Sequence, residues 1–227
     1  MPRSLRALVA SCCGLLSLIV MPATAQIQVH ARDRAVSGAR LHYLEAGASG
    51  APTVILLHGA RYSAQTWLDV GTIARLAERG HHVIALDLPG YGQSEVNGIS
   101  RDRYLAGALD SLLPGEKVVI VSPSMSGNFS LPFVARHADR VAGFVPVAPV
   151  GIETYLSELR RVQVPTLAVW GELDMVVPVA QADLLVSALK GRKLILAGAS
   201  HACYLDRPDD FHAALLKFLS DPAVVGR

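Results

Sequence analysis

Val118-Val119-Ile120-Val121-Ser122-Pro123-Ser124-Met125-Ser126-Gly127 reads as an apolar strand that bends sharply into a helix around an exposed serine. A nucleophile on such a strained turn leaves little room for side chains two residues before and after it, hence the usual pattern G-x-S-x-G. Here serine, the next smallest residue that tolerates the bend, stands at both flanks, and Gly127 allows close contact of helix and strand. The register selects Ser124 and makes Ser122 and Ser126 spacers. A serine-rich loop capping a helix draws on the same residue types, so the rest of the chain has to decide between the two.

The 227 residues are 51% hydrophobic and 18% charged, enough apolar material for a sizeable core and too much for a disordered chain. Arg3 and Arg6 precede an apolar run from Ala7 to Val20, and Ala23-Thr24-Ala25 matches a small-residue cleavage site. Residues 1–25 are therefore expected to be a secretory signal peptide, placing the mature chain in the periplasm or outside the cell, with an uncleaved membrane anchor as the alternative. Without them, 19 basic residues face 19 acidic ones and the formal charge is zero. With no later Lys/Arg run, nucleic acid is not an expected partner. Cys12 and Cys13 go with the leader, so Cys203 cannot form an internal disulfide.

Residues 26–227 are expected to form a single domain in which strands and helices alternate. Strands are predicted at Arg40–Glu45, Thr53–Leu57, His82–Leu86, Val118–Val121, Val141–Val147, Thr166–Trp170 and Lys193–Leu196. Helices are predicted at Thr66–Arg79, Arg101–Leu113, Ile152–Arg161, Val179–Leu189 and Pro208–Leu219, besides the one after Ser124. This alternation implies an α/β fold, a mostly parallel sheet covered on both faces, with active residues at the carboxyl ends of its strands.

A serine hydroxyl needs a base to activate it and a third group to orient that base. Two later strands run into suitable residues: Thr166–Trp170 into Gly171-Glu172-Leu173-Asp174, and Lys193–Leu196 into Ala197-Gly198-Ala199-Ser200-His201. Asp174 is preferred to Glu172 because it lies further past the strand end, where a loop can bend it toward a histidine. Among the histidines only His201 follows the last strand; His58 reads as a structural residue of the turn His58-Gly59-Ala60. The backbone amides of Ala60 and Met125 are the natural oxyanion donors. Arg61, Tyr62, Trp67 and Phe129 are candidates for lining the entrance, and Cys203, two residues past His201, is a candidate redox-sensitive thiol. The histidines are scattered and no H-E-x-x-H or paired C-x-x-C occurs, so neither a metal nor a cofactor is expected.

Together, H-G-A after a strand, D-L-P-G-Y-G-Q-S from Asp87 to Ser94, S-P-S-M-S-G, G-E-L-D and S-H resemble the α/β-hydrolase fold family over nearly all of the mature chain. Leu56–Trp67 and Ser122–Phe133 are most similar to the α/β-hydrolase domain-containing protein 14 group, the S-P-S-x-S-G elbow followed by S-L-P-F being the specific part. The resemblance implies nucleophile Ser124, acid Asp174 and base His201, acting on short acyl groups, acetyl esters in particular. Members of that group are linked to removing acetyl groups from protein lysines with coenzyme A as acceptor, an acceptor not expected outside the cytoplasm. Ser200 departs from the glycine that many hydrolases carry before the histidine. Only Ala148–Pro165 separate two strands between which many such hydrolases insert a lid. A comparatively open site follows, suited to a small acyl ester or other acylated molecule handled by a monomer. The competing expectations are acyl transfer to an acceptor other than water, and a non-catalytic binding module on the same scaffold.

Overall fold

The computed structural model describes residues 27–225; the leader expected at residues 1–25 lies outside the described residues. The apolar runs become β3 (Thr53–Leu56), β4 (His82–Leu86), β5 (Val118–Pro123), β6 (Val141–Val147) and β7 (Leu167–Gly171), in which every residue is buried. Continuous apolar runs, rather than alternating ones, are what strands covered on both faces require. With β1 (His30–Val36), β2 (Ala39–Ala46) and β8 (Arg192–Leu196) they form one eight-stranded sheet of order β1-β2-β4-β3-β5-β6-β7-β8. Strands β3 to β8 run parallel, and β1 and β2 are antiparallel additions at one end.

Successive strand residues feed two cores, because side chains alternate across a sheet. Ile55, Val118 and Ile120 face α3 (Arg101–Leu112), α4 (Gly127–Arg136), α5 (Ile152–Leu159) and α6 (Ala180–Leu189). Val54, Leu56, Val119 and Val121 face α1 (Ala64–Asp69), α2 (Thr72–Glu78), α7 (Cys203–Asp206), α8 (Pro208–Leu219) and α9 (Pro222–Val225). Both sheet edges carry charge, Arg32, Asp33 and Arg34 on β1 and Arg192 and Lys193 on β8, which discourages edge-to-edge pairing. Between β6 and β7 the helical insertion is α5 alone, the short connection expected.

Two elements differ from the sequence reading. The helix expected over Thr66–Arg79 is two helices, because Gly71 takes a left-handed φ of 78° between them. Strand β1, H-A-R-D-R-A-V, was not anticipated: six of its seven residues are exposed, so it has no apolar period. It exists through its ladder with β2, closed by Ser37 and Gly38, both at positive φ as a type I′ hairpin turn requires. Among the described residues no helix is long and apolar enough to cross a membrane.

Candidate active site

At the carboxyl end of β5, Ser124 adopts φ 51°, a left-handed conformation that costs a non-glycine residue roughly 1–3 kcal/mol and persists only where its surroundings impose it. Three features impose it. The Val150 N–H donates to the Ser124 carbonyl at 2.9 Å. Gly127 lets the Pro149–Val150 backbone lie against the start of α4, where a Cβ would overlap the Val150 carbonyl oxygen. Ser122, Ser126 and Ser130, all fully buried, form a hydroxyl chain beneath the turn. Ser126 donates to the Pro123 carbonyl at 2.7 Å, and Ser122 lies 2.9 Å from Ser126 and 2.7 Å from Ser130. Each hydroxyl has one proton, so the chain runs Ser130 to Ser122 to Ser126 to Pro123. The spacer serines thus do more than leave room.

The partners expected from the sequence meet Ser124. His201 Nε2 lies 2.8 Å from Ser124 Oγ, and its Nδ1 lies 2.8 Å from Asp174 Oδ2. The other Asp174 oxygen accepts the Val176 and Val177 N–H groups at 2.8 and 2.9 Å, so this fully buried carboxylate is held by three hydrogen bonds. Glu172, the competing acid, is exposed and accepts the Gly198 N–H at 2.8 Å, tying the loop after β7 to the loop after β8. Those loops are also joined by Leu173 N–H to the Ala199 carbonyl, and by the crowding of Gly171, where a Cβ would overlap the Ala199 and Ser200 carbonyls. Ser200 has a local purpose: its N–H and hydroxyl both donate to Asp206, bracing the turn that carries His201.

The turn after β3 packs beside the serine, since a Cβ on Gly59 would stand 3.6 Å from Ser124 Cβ. Tyr62 N–H donates to the Gly59 carbonyl at 3.1 Å, placing Ala60 and Arg61 at the centre of a tight turn. Ala60 N–H meets no backbone acceptor among the described residues. Buried His58 fixes this turn, with Nδ1 2.8 Å from the Gly59 carbonyl and Nε2 accepting the Leu88 N–H at 3.0 Å. Burial holds its pKa below the ordinary histidine value, consistent with the neutral ring that this bonding needs. Asp87 is structural too: its carboxylate accepts the Ala64 and Gln93 N–H groups and pairs with His42.

A cleft of about 450 Å³ opens over Ser124 and His201, lined also by Ala60, Arg61, Tyr62, Val176, Ala202 and Tyr204. Arg61 and Tyr62 lie where the sequence placed them. Trp67 and Phe129 do not. Trp67 is fully buried, its indole N–H donating to the Leu57 carbonyl at 2.7 Å and its ring packed against Tyr204 and Phe211. Phe129 packs edge-on to Tyr104 on the other face of the sheet. Each aromatic follows a site motif, but its helix turns it into a core. Cys203 is fully buried beside Asp174 and Asp206, and burial pushes its thiol pKa up to about 12, the opposite of a redox-active thiol. Val176, Ala202 and Tyr204 were not anticipated in the cleft, although all three lie within three residues of a residue of the Ser124–His201–Asp174 relay. A larger cavity, about 510 Å³, opens at the amino-terminal ends of β3 and β5 and contains none of these groups.

A profile of the alpha/beta hydrolase fold matches residues 52–154. The chain is similar to ABHD14B of Rattus norvegicus, named as a candidate protein-lysine deacylase, with 39% identity over 75% of this chain and 84% of that protein. It is 41% identical to ABHD14A of Danio rerio over 74% of its own length, spanning 64% of the relative. Among solved structures, a CIB-like hydrolase of Thermoplasma acidophilum superposes with a TM-score of 0.80 at 24% identity, covering 85% of this chain and 98% of the other.

Proposed function

This chain belongs to the α/β-hydrolase fold family, alongside the ABHD14 proteins, and from that premise we propose that it is a serine hydrolase cleaving short acyl esters through an acyl-enzyme. The observation that carries this reading is the relay from Ser124 to His201 to Asp174, with both contacts at 2.8 Å. His201 Nε2 takes the Ser124 proton as Oγ attacks the ester carbonyl, while the Asp174 carboxylate holds Nδ1–H and stabilises the imidazolium. Ala60 and Met125 N–H groups receive the oxyanion, a contribution of roughly 2.7–4 kcal/mol per donor. His201 then gives its proton to the leaving oxygen, and activates the water that releases the acyl group. The preference for short acyl groups rests on the short connection between β6 and β7: among the described residues it carries α5 alone, with no lid domain to extend the cleft around a long chain.

Acyl transfer to an acceptor other than water is the second reading. It is favoured by the relatives named as candidate protein-lysine deacylases. The leader-like residues 1–25 support action outside the cytoplasm for either reading. The test is a fluorophosphonate probe followed by peptide mapping. One adduct at Ser124, lost in Ser124→Ala, is the expected result; a folded, unlabelled protein contradicts the reading. Competing amine and thiol acceptors separate the two readings, since hydrolysis predicts no partitioning of the acyl group to them.

A further inference from the structure

Among the described residues, Arg61 is the one lining residue of the Ser124 cleft with a permanent charge, and no acidic residue lines that cleft. Asp174, the carboxylate nearest the chemistry, has both oxygens engaged by His201 and two backbone N–H groups. Some arginines are matched, Arg32 with Glu45, Arg136 with Glu158 and Asp102, Arg140 with Asp110; Arg61 is set apart from the unmatched ones by its place in the cleft of the Ser124 relay. Arg61 is exposed, and among the described residues it donates to no carboxylate. The Gly59–Tyr62 turn sets the Arg61 backbone next to Ala60, whose amide is the oxyanion donor assigned in the mechanism above. Of its neighbours in the lining, Val176 and Ala202 are apolar and Tyr62 and Tyr204 are uncharged, so Arg61 is the only permanent cation there to meet an anion.

We propose that Arg61 is a specificity-determining residue and that the natural substrate carries an anionic oxygen group, carboxylate or phosphate, beside its scissile acyl bond. The planar guanidinium fork matches such a group in two-point fashion. The cleft, at about 450 Å³, holds far more than an acetyl group, so it has room for the part of the substrate bearing the anion. That part belongs either to the acyl half or to the leaving half. The inference rests on Ser124 acting as the nucleophile of an esterase.

Two matched ester pairs test it: 4-acetoxybenzoate against its methyl ester, with the charge on the leaving group, and monophenyl succinate against phenyl acetate, with the charge on the acyl side. Rates are referred to uncatalysed hydrolysis of each ester. In at least one pair the anionic ester is expected to show a kcat/KM advantage of about ten-fold, equivalent to about 1.4 kcal/mol. The advantage resides mainly in KM and shrinks as salt is raised. It falls to about one in Arg61→Gln and is partly kept in Arg61→Lys, while circular dichroism shows both variants folded. Which pair responds identifies the half that carries the anion. No advantage in either pair, or an advantage that survives Arg61→Gln, overturns the proposal. Failure of all four esters together with absent fluorophosphonate labelling would instead overturn the esterase reading beneath it.

Discussion

Substituting Ser122 with alanine removes the middle of the buried hydroxyl chain beneath the nucleophile turn. Ser122 Oγ takes part in two hydrogen bonds, with Ser130 at 2.7 Å and Ser126 at 2.9 Å, in a region closed to solvent. The change leaves the Ser130 hydroxyl with a proton and no acceptor, so the cost is the lost bonds plus one buried unsatisfied donor, about 2–3 kcal/mol. For a domain of this size, that lowers Tm by roughly 5–10 °C. The triple variant Ser122→Ala, Ser126→Ala, Ser130→Ala removes donors and acceptors together and leaves only the Pro123 carbonyl unpaired. Its loss is expected to be close to that of Ser122→Ala alone, far below the sum of three single losses. Thermal melts of the three singles and the triple, followed by circular dichroism, supply the comparison. Ester turnover by Ser122→Ala should fall less than about ten-fold, because Gly127 and the Val150–Ser124 bond still hold the turn. An unchanged Tm in Ser122→Ala, or simple additivity in the triple, refutes the hydroxyl-chain reasoning.

Asp174→Asn should keep the fold yet lower kcat by about 10⁴, the effect of presenting the wrong imidazole tautomer to a serine, whereas Glu172→Gln should change it by less than about three-fold; steady-state hydrolysis of p-nitrophenyl acetate compares them. Gly171→Ala should lower both kcat and Tm, because its Cβ pushes on the Ala199 and Ser200 carbonyls and so displaces His201; a variant with unchanged kcat contradicts the crowding. Burial holds His58, His81 and His212 below the ordinary histidine pKa. The unfolded chain therefore binds more protons in mild acid, and the stability these neutral rings contribute is complete above about pH 6.5 and lost as pH falls through their folded pKa values. Urea midpoints measured from pH 8 down to pH 5 should decline below about pH 6.5, and less so in His212→Gln; a flat profile counts against the assignment.

The site was legible because its three side chains follow strands that the sequence announces. Val118–Val121, Thr166–Trp170 and Lys193–Leu196 are apolar or nearly so, and a parallel sheet brings their carboxyl ends to one edge. Choosing Asp174 over Glu172 rested on distance past the strand. The structure places Asp174 as a buried carboxylate with three bonds, one of them to His201, and Glu172 as an exposed one with a single bond. Trp67 and Phe129 were misplaced because an aromatic beside a motif packs inward or outward according to its helix phase, and adjacency in sequence does not contain that information. The part played by Ser130 was invisible for a related reason: it meets Ser122 across the strand-to-helix turn, eight residues away. Strand β1 was missed because its stability comes from pairing with β2 rather than from any apolar face.

The central claim is that Ser124 carries the acyl group during turnover. Acid-quenched mixing of the protein with p-nitrophenyl acetate, followed by intact mass and peptide mapping, tests it directly. The account predicts one acetyl group on Ser124, formed in a burst, longer-lived when water attack is slowed and absent from Ser124→Ala. Steady turnover with no acetyl on Ser124, or with acetyl on another residue and activity retained in Ser124→Ala, would contradict it.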